Sequence, residues 1–240
     1  MIKKIIALLL CMAGAAAWIV VNQTQEKEVF RQDEEPLLDR VVVLDAGHGG
    51  IDGGVVGITT KTREASVNLS VTKKLAVLLE SAGIKVVMTR TGEASLCADD
   101  IYTKKLDMRL RGEVIDAAKP DMIISIHMNS YPDPSVHGAQ CFSYPGSAEG
   151  ARLAAVMQES LRRYADSSNK RIPKEEDFFM LRTSSSPSVL VECGFMTCPA
   201  EEKLLLTEDY QDKLAYAIFC GVFGYFLGGQ SAADQPQAAA

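Results

Sequence analysis

Three apolar runs in this chain each end in a group able to bind a metal or move a proton. Val41-Val-Val-Leu44 passes through Asp45-Ala-Gly into His48, Met122-Ile-Ile-Ser-Ile126 delivers His127, and Ser188-Val-Leu-Val191 delivers Glu192. A fourth group, Glu64, opens an apolar-periodic segment just after the first glycine loop, Gly47 to Gly54. Two imidazoles and one carboxylate form a common hydrolytic zinc set that leaves a position open for water, and a further, non-ligating carboxylate can serve as general base. Each residue alone has a plainer alternative: a tight-loop histidine at 48, a satisfied buried histidine at 127, a helix-dipole carboxylate at 64, a strand-end ion pair at 192. Their recurrence in one setting points to a shared site. Asp45 and Asp52 flank the His48 loop as candidate supports for a ligating imidazole.

The elements that must position these groups alternate between strand and helix. Short runs of branched residues bounded by glycine or polar clusters read as buried strands. Between the first two, Val67, Val71, Leu75, Leu78 and Leu79 recur at helical spacing from Glu64 until Gly83, and Lys85 to Arg90 is the next strand, as in a right-handed crossover unit. A helix is expected from Asp107 to Pro120, a strand over Gly138 to Tyr144, a helix over Ser147 to Tyr164 and a short strand over Phe178 to Arg182. Helices over Glu201 to Leu206 and Tyr210 to Phe226 close the pattern. The expected fold is α/β: a single three-layer αβα domain with a largely parallel twisted central sheet flanked by helices. Strand carboxyl ends gather along one edge of such a sheet, where the four groups can meet.

Composition narrows the partners. The chain has 240 residues, 47 % of them hydrophobic, enough for one domain with a substantial core, and its net charge of -6 gives no basic footprint for nucleic acid. Residues 1–21 combine a basic flank with an apolar run and read as a signal peptide or a membrane anchor, which directs the chain out of the cytoplasm. Residues 22–40 read as a polar linker and 228–240 as a disordered tail. Beyond Cys11, the cysteines at 97, 141, 193, 198 and 220 are odd in number and contain no C-x-x-C pair, so buried thiols are expected rather than a disulfide set or a zinc cluster.

Leu44-Asp-Ala-Gly-His-Gly-Gly50, Arg63-Glu64, Ser125-Ile-His-Met-Asn129 and Val191-Glu-Cys-Gly-Phe-Met-Thr197 together resemble the signature blocks of the zinc-dependent N-acetylmuramoyl-L-alanine amidases of the amidase 3 family. The resemblance implies that residues 41–227 are a zinc amidase catalytic domain in which His48, Glu64 and His127 bind Zn2+ and Glu192 is the catalytic carboxylate. The implied substrate is peptidoglycan, at the amide between N-acetylmuramic acid and L-alanine. The single-domain layout and His137-Gly-Ala-Gln-Cys-Phe142 resemble the germination-specific members that act in spore cortex maturation. Some members depend on an activator protein, which is therefore a candidate partner. Ala46 and Cys198 depart from the common proline and asparagine without removing a ligand. Arg109, Arg111, Asn129 and His137 are candidate substrate contacts, the arginines toward stem-peptide carboxylates.

Two other functions compete. A nucleotide-binding protein would use the 47–54 glycines as a phosphate cradle, but Asp52 stands where the third glycine belongs and no Gly-Lys-Ser/Thr follows. A peptidoglycan-binding or regulatory protein could retain the fold with little turnover, yet all four catalytic positions are filled.

Overall fold

The computed structural model describes Leu37 and residues 39–228; the expectations for residues 1–21, for most of the linker and for nearly all of the tail lie outside them. No helix among the described residues is long and apolar enough to cross a membrane. Among the described residues six strands appear in chain order, β1 (Val41–Ala46), β2 (Lys85–Met88), β3 (Met122–Asn129), β4 (Gln140–Ser143), β5 (Lys174–Glu175) and β6 (Ser188–Phe195), with five α-helices, α1 (Glu64–Ser81), α2 (Lys104–Ala118), α3 (Ala148–Tyr164), α4 (Pro199–Leu205) and α5 (Glu208–Gly228). The strands form one sheet in the order β2-β1-β3-β6-β4-β5, in which only the β4–β6 pair is antiparallel.

Local chemistry explains the boundaries. Thr103 caps α2 by accepting from Leu106 N, and Lys119 in the left-handed region ends the helix before Pro120. Ser147 caps α3 in the same way through Gly150 N, and Gly83 turns the chain out of α1 at a φ of 83°.

The sheet is covered unequally. Val42, Leu44, Met122, Ile124, Ile126, Val189, Val191 and Cys193 face the larger core beneath α1, α3 and α5. Val43 and Ile123 point the other way, into a small cluster with Ile115 of α2 and Met180. Side chains alternate along a strand, so Asp45, Ser125, His127, Leu190 and Glu192 belong to this thinly covered side. Its strand ends are left open.

One expected element is corrected. Phe178 to Arg182 is not a strand: Phe179–Arg182 forms a 3-10 turn, and the edge strand lies earlier, at Lys174–Glu175. Met180 and Leu181 are both buried although adjacent, which a helical turn permits and an alternating half-buried strand does not. Other limits shift. α2 starts at Lys104 rather than Asp107, β2 stops at Met88 because Thr89 and Arg90 turn inward, and β6 continues past Glu192 to Phe195. The five described cysteines are free, four of them buried.

Candidate active site

The site forms where β1, β3 and β6 present their thin side. β1 ends at Ala46 and the chain turns through Gly47 into His48, whose φ of 61° is in the left-handed region; histidine is one of the few side chains that visits it with some frequency. A Cβ on Gly47 would overlap the His127 ring, and one on Gly54 would meet Glu64 Oε2 and the His48 ring. Glycine at these two positions therefore lets backbone pass directly beside the functional groups. His127 and Glu192 are paired across β3 and β6 in the sheet register. Glu64, first residue of α1, enters from the helix end.

His48 Nε2 lies 3.4 Å and His127 Nδ1 3.0 Å from the same Glu64 oxygen, Oε1. The rings meet edge to face with centroids 5.0 Å apart, and the three donor atoms all lie within 4.8 Å of one another. Two borderline nitrogen donors and one carboxylate oxygen so placed fit a divalent transition metal. Glu64 is fixed by donors of its own: Met128 N at 3.0 Å and Asn68 Nδ2 at 3.1 Å to Oε1, and Val55 N at 2.8 Å to Oε2. The other nitrogen of His48, Nδ1, is 2.9 Å from Asp52 Oδ2, without the alignment of a full hydrogen bond. Asp52 also accepts from Gly54 N and from Tyr102 OH.

The two carboxylates facing the site differ electrically. Burial opposes the charge on Glu64, yet the contacts with His127 and then His48 hold its carboxyl far below the ordinary range. Burial likewise dominates at Glu192, but there it prevails: the carboxyl is pushed up to about 7, with His127 working against the rise and Glu64 adding to it. His48 is raised, since burial lowers it less than Glu64 and Asp52 together favour the cation. Glu192 Oε2 is buried with no hydrogen-bond partner. Neighbouring carboxylates driven apart in this way are suited to different roles, one as a permanent anion and one as a proton carrier. Both His127 and Glu192 line a cavity of about 300 Å³ walled by Met108, Phe178, Phe179 and Met180.

The structure thus brings together His48, Glu64, His127 and Glu192. It separates them from the expected substrate contacts. Arg111 is fully buried, its guanidinium on Asp45, Asp107, Ala46 O and His48 O, so it braces the loop from below and presents nothing to a stem peptide. Arg109 is exposed and paired with Glu113, in a groove that shares Phe179 with the cavity. Asn129 ends β3 with its Oδ1 on Ser130 N, and exposed His137 bonds Ser135 O beside a different pocket with Arg171. Asp52 reaches His48 as expected, whereas Asp45 holds Thr89, Ser125 and Arg111 instead. Lys104, which also lines the cavity, is an addition to the expected site: it opens α2, three residues before the helix is expected to begin. Asn68 could have been read from its place four residues after Glu64, on the same helix face.

Fold and site define a class of hydrolytic enzyme: an αβα domain whose strand ends deliver a histidine–glutamate ligand set and a second buried carboxylate to one cleft. A family model described as N-acetylmuramoyl-L-alanine amidase matches residues 42–223. The chain belongs to this family and is a peptidoglycan amidase. It is 34 % identical over 195 residues to the germination-specific N-acetylmuramoyl-L-alanine amidase of Bacillus subtilis, covering 80 % of this chain and 81 % of that protein. The CwlD amidase of Clostridioides difficile, solved in complex with the GerS lipoprotein, superposes with a TM-score of 0.75 at 37 % identity over 78 % of this chain and 98 % of its own. An N-acetylmuramoyl-L-alanine amidase from Clostridium difficile 630 gives 0.70 at 32 % identity, covering 78 % and 96 %.

Proposed function

We propose that this chain is a zinc-dependent amidase that removes the stem peptide from N-acetylmuramic acid during spore cortex maturation, preparing the sugar for conversion to muramic-δ-lactam by a separate deacetylase. The observation that carries the catalytic part is the convergence of the His48, Glu64 and His127 donor atoms within 4.8 Å of one another, with Glu192, buried and unpartnered at Oε2, lining the same cavity. His48, Glu64 and His127 would hold the zinc, which when bound supplies a Lewis acid for the amide carbonyl and lowers the pKa of water toward ~7. Glu192 takes the proton of the attacking water and returns it to the L-alanine nitrogen as the C–N bond breaks. One carboxylate is base, then acid. Asp52, 2.9 Å from the far nitrogen of His48, would orient its imidazole electrostatically. The apolar walls at Phe178 and Met180 lower the local dielectric, which strengthens each of these interactions. Lys104 at the rim and Arg109 in the adjoining groove would receive stem-peptide carboxylates.

The likeness to a germination-specific amidase supports the sporulation role, and export by residues 1–21, as signal peptide or anchor, would place the enzyme outside the cytoplasm, in the forespore intermembrane space. A lipoprotein such as the one bound to the Clostridioides difficile relative is the kind of activator partner this reading includes. Zinc-loaded protein incubated with purified peptidoglycan should release peptides with free L-alanine amino termini, read by mass spectrometry. New reducing sugar ends without such peptides would refute the activity. Spores lacking the protein should have cortex devoid of muramic-δ-lactam.

A further inference from the structure

Beneath the ligand cluster, four carbonyls converge on one guanidinium. Arg90 follows β2 and is only 4 % exposed. Its Nε donates to Ala46 O at 2.8 Å, Nη2 to Gly47 O at 2.9 Å and to Ala65 O at 2.8 Å, and Nη1 to Gly92 O at 2.9 Å. Ala46 and Gly47 lead β1 into His48, whereas Ala65 follows Glu64 in the first turn of α1. Asn68, fully buried on the same helix, crosses the same gap: its Nδ2 lies 3.1 Å from both Gly47 O and Glu64 Oε1.

Any donor would relieve buried carbonyls where the loop leaves the sheet ladder, since an unpaired buried carbonyl is destabilising. What is particular here is that both residues span from the loop bearing one candidate ligand to the turn bearing another. A hydrogen-bond network without a metal thus links the loop of His48 to the turn of Glu64. His48 also sits at a φ of 61°, a left-handed conformation that a histidine can adopt and that bonds from its surroundings help to hold. Arg90 suits this task through its planar fork, which a lysine ammonium cannot reproduce even though it keeps the charge.

We propose that Arg90 and Asn68 are positioning residues that preset the His48–Glu64 separation, so that the site has its metal-binding geometry before the ion arrives. The inference rests on the zinc reading above. Neither residue is itself a candidate ligand; Arg90 acts through backbone carbonyls and Asn68 through Gly47 O and the Glu64 carboxylate. Loss of such outer support typically costs 10–100-fold in metal affinity.

The test uses the full chain stripped of metal. Zn2+ affinity is measured by competition with a chromophoric chelator, ligand geometry by the visible absorption of the Co2+ form, and stability by melting of the metal-free protein. Arg90→Lys and Asn68→Ala should each weaken Zn2+ binding at least tenfold and change the Co2+ spectrum. A merely structural role would lower the melting temperature and leave affinity, measured below melting, within twofold of wild type; that result overturns the proposal. Should Arg90→Lys fail to fold, Asn68→Ala decides alone by the same criterion. A wild-type protein that binds no Zn2+ would instead defeat the zinc reading and this inference with it, an outcome distinct from variants that match a zinc-binding parent.

Discussion

Replacing Glu192 by glutamine should remove turnover and, in the metal-free protein, raise stability. The carboxyl is pushed from 4.5 to about 7, chiefly by burial. A folded-state value above the unfolded one means that the native protein holds the proton more tightly, so ionisation works against folding. The penalty is absent below pH 4.5, grows as pH rises toward 7 and is complete above it. At about 1.4 kcal/mol per pKa unit it reaches ~3 kcal/mol. Glutamine carries no charge, but its amide also needs partners in the same pocket, which reduces the gain to roughly 1–3 kcal/mol. For a domain of this size that corresponds to about 2–10 °C in melting temperature. Thermal unfolding of metal-free wild type and Glu192→Gln at pH 4.5 and pH 8 measures it: the curves should converge at the lower pH and separate at the higher. Peptide release should fall about 10²–10⁴-fold, as for loss of a general acid–base group. A stability difference that is equal at both pH values, or a variant retaining more than a tenth of wild-type turnover, would refute the assignment.

Asp45 gives the opposite pH signature. Burial disfavours its charge, but Arg111, Ser125 and Thr89 prevail and hold its carboxyl at about 2, so its contribution of ~2 kcal/mol is present above pH 3.8 and lost as pH falls through 2. Asp45→Asn should therefore be destabilised at pH 7 by roughly 3–5 kcal/mol, because Arg111 loses a buried partner, and should show a flatter acid limb in pH-dependent melting. Chelation should abolish peptide release and lower the melting temperature, and added Zn2+ should restore both, with His127→Ala insensitive to zinc; the gain should grow with zinc concentration, to ~4 kcal/mol at a thousandfold excess over Kd. Lys104→Glu should raise KM about tenfold with little change in kcat, the scale of one charge-assisted hydrogen bond. Peptidoglycan whose stem carboxylates are amidated should not distinguish it from wild type.

The alternation of strand and helix was legible because each apolar run is short and bounded by glycine or polar residues, and the sheet follows from it. Phe178 to Arg182 misled because consecutive apolar residues suit a buried turn as well as a strand, and only the packing of Met180 against Ile115 and Ile123 separates them. The role of Arg111 was illegible for a different reason. An arginine on an amphipathic helix looks solvated until Asp45, 66 residues earlier, is seen to face it. Long-range charge pairing leaves no local period to read.

The site itself was legible through its motifs and the recurrence of a polar group after each apolar run; which face carries them emerges from the parity of the paired strands. In β1 and β3 the polar interruptions Asp45 and Ser125 bond each other, Ser125 Oγ donating to Asp45 Oδ2 at 2.6 Å, and His127 follows Ser125 by two residues. All three point to the sheet's thin side, as does Glu192 opposite His127. Apolar side chains alone would suit a strand buried on both faces. Asp45 in β1 and Ser125, two residues before His127 in β3, therefore mark the face that carries the chemistry. The same parity implies that a residue such as Val191, one step from Glu192 and fully buried in the large core, governs packing alone. Val191→Ala should cost about 1–3 kcal/mol in stability while leaving kcat of the folded enzyme near wild type, which thermal melting and peptide release on one preparation would check.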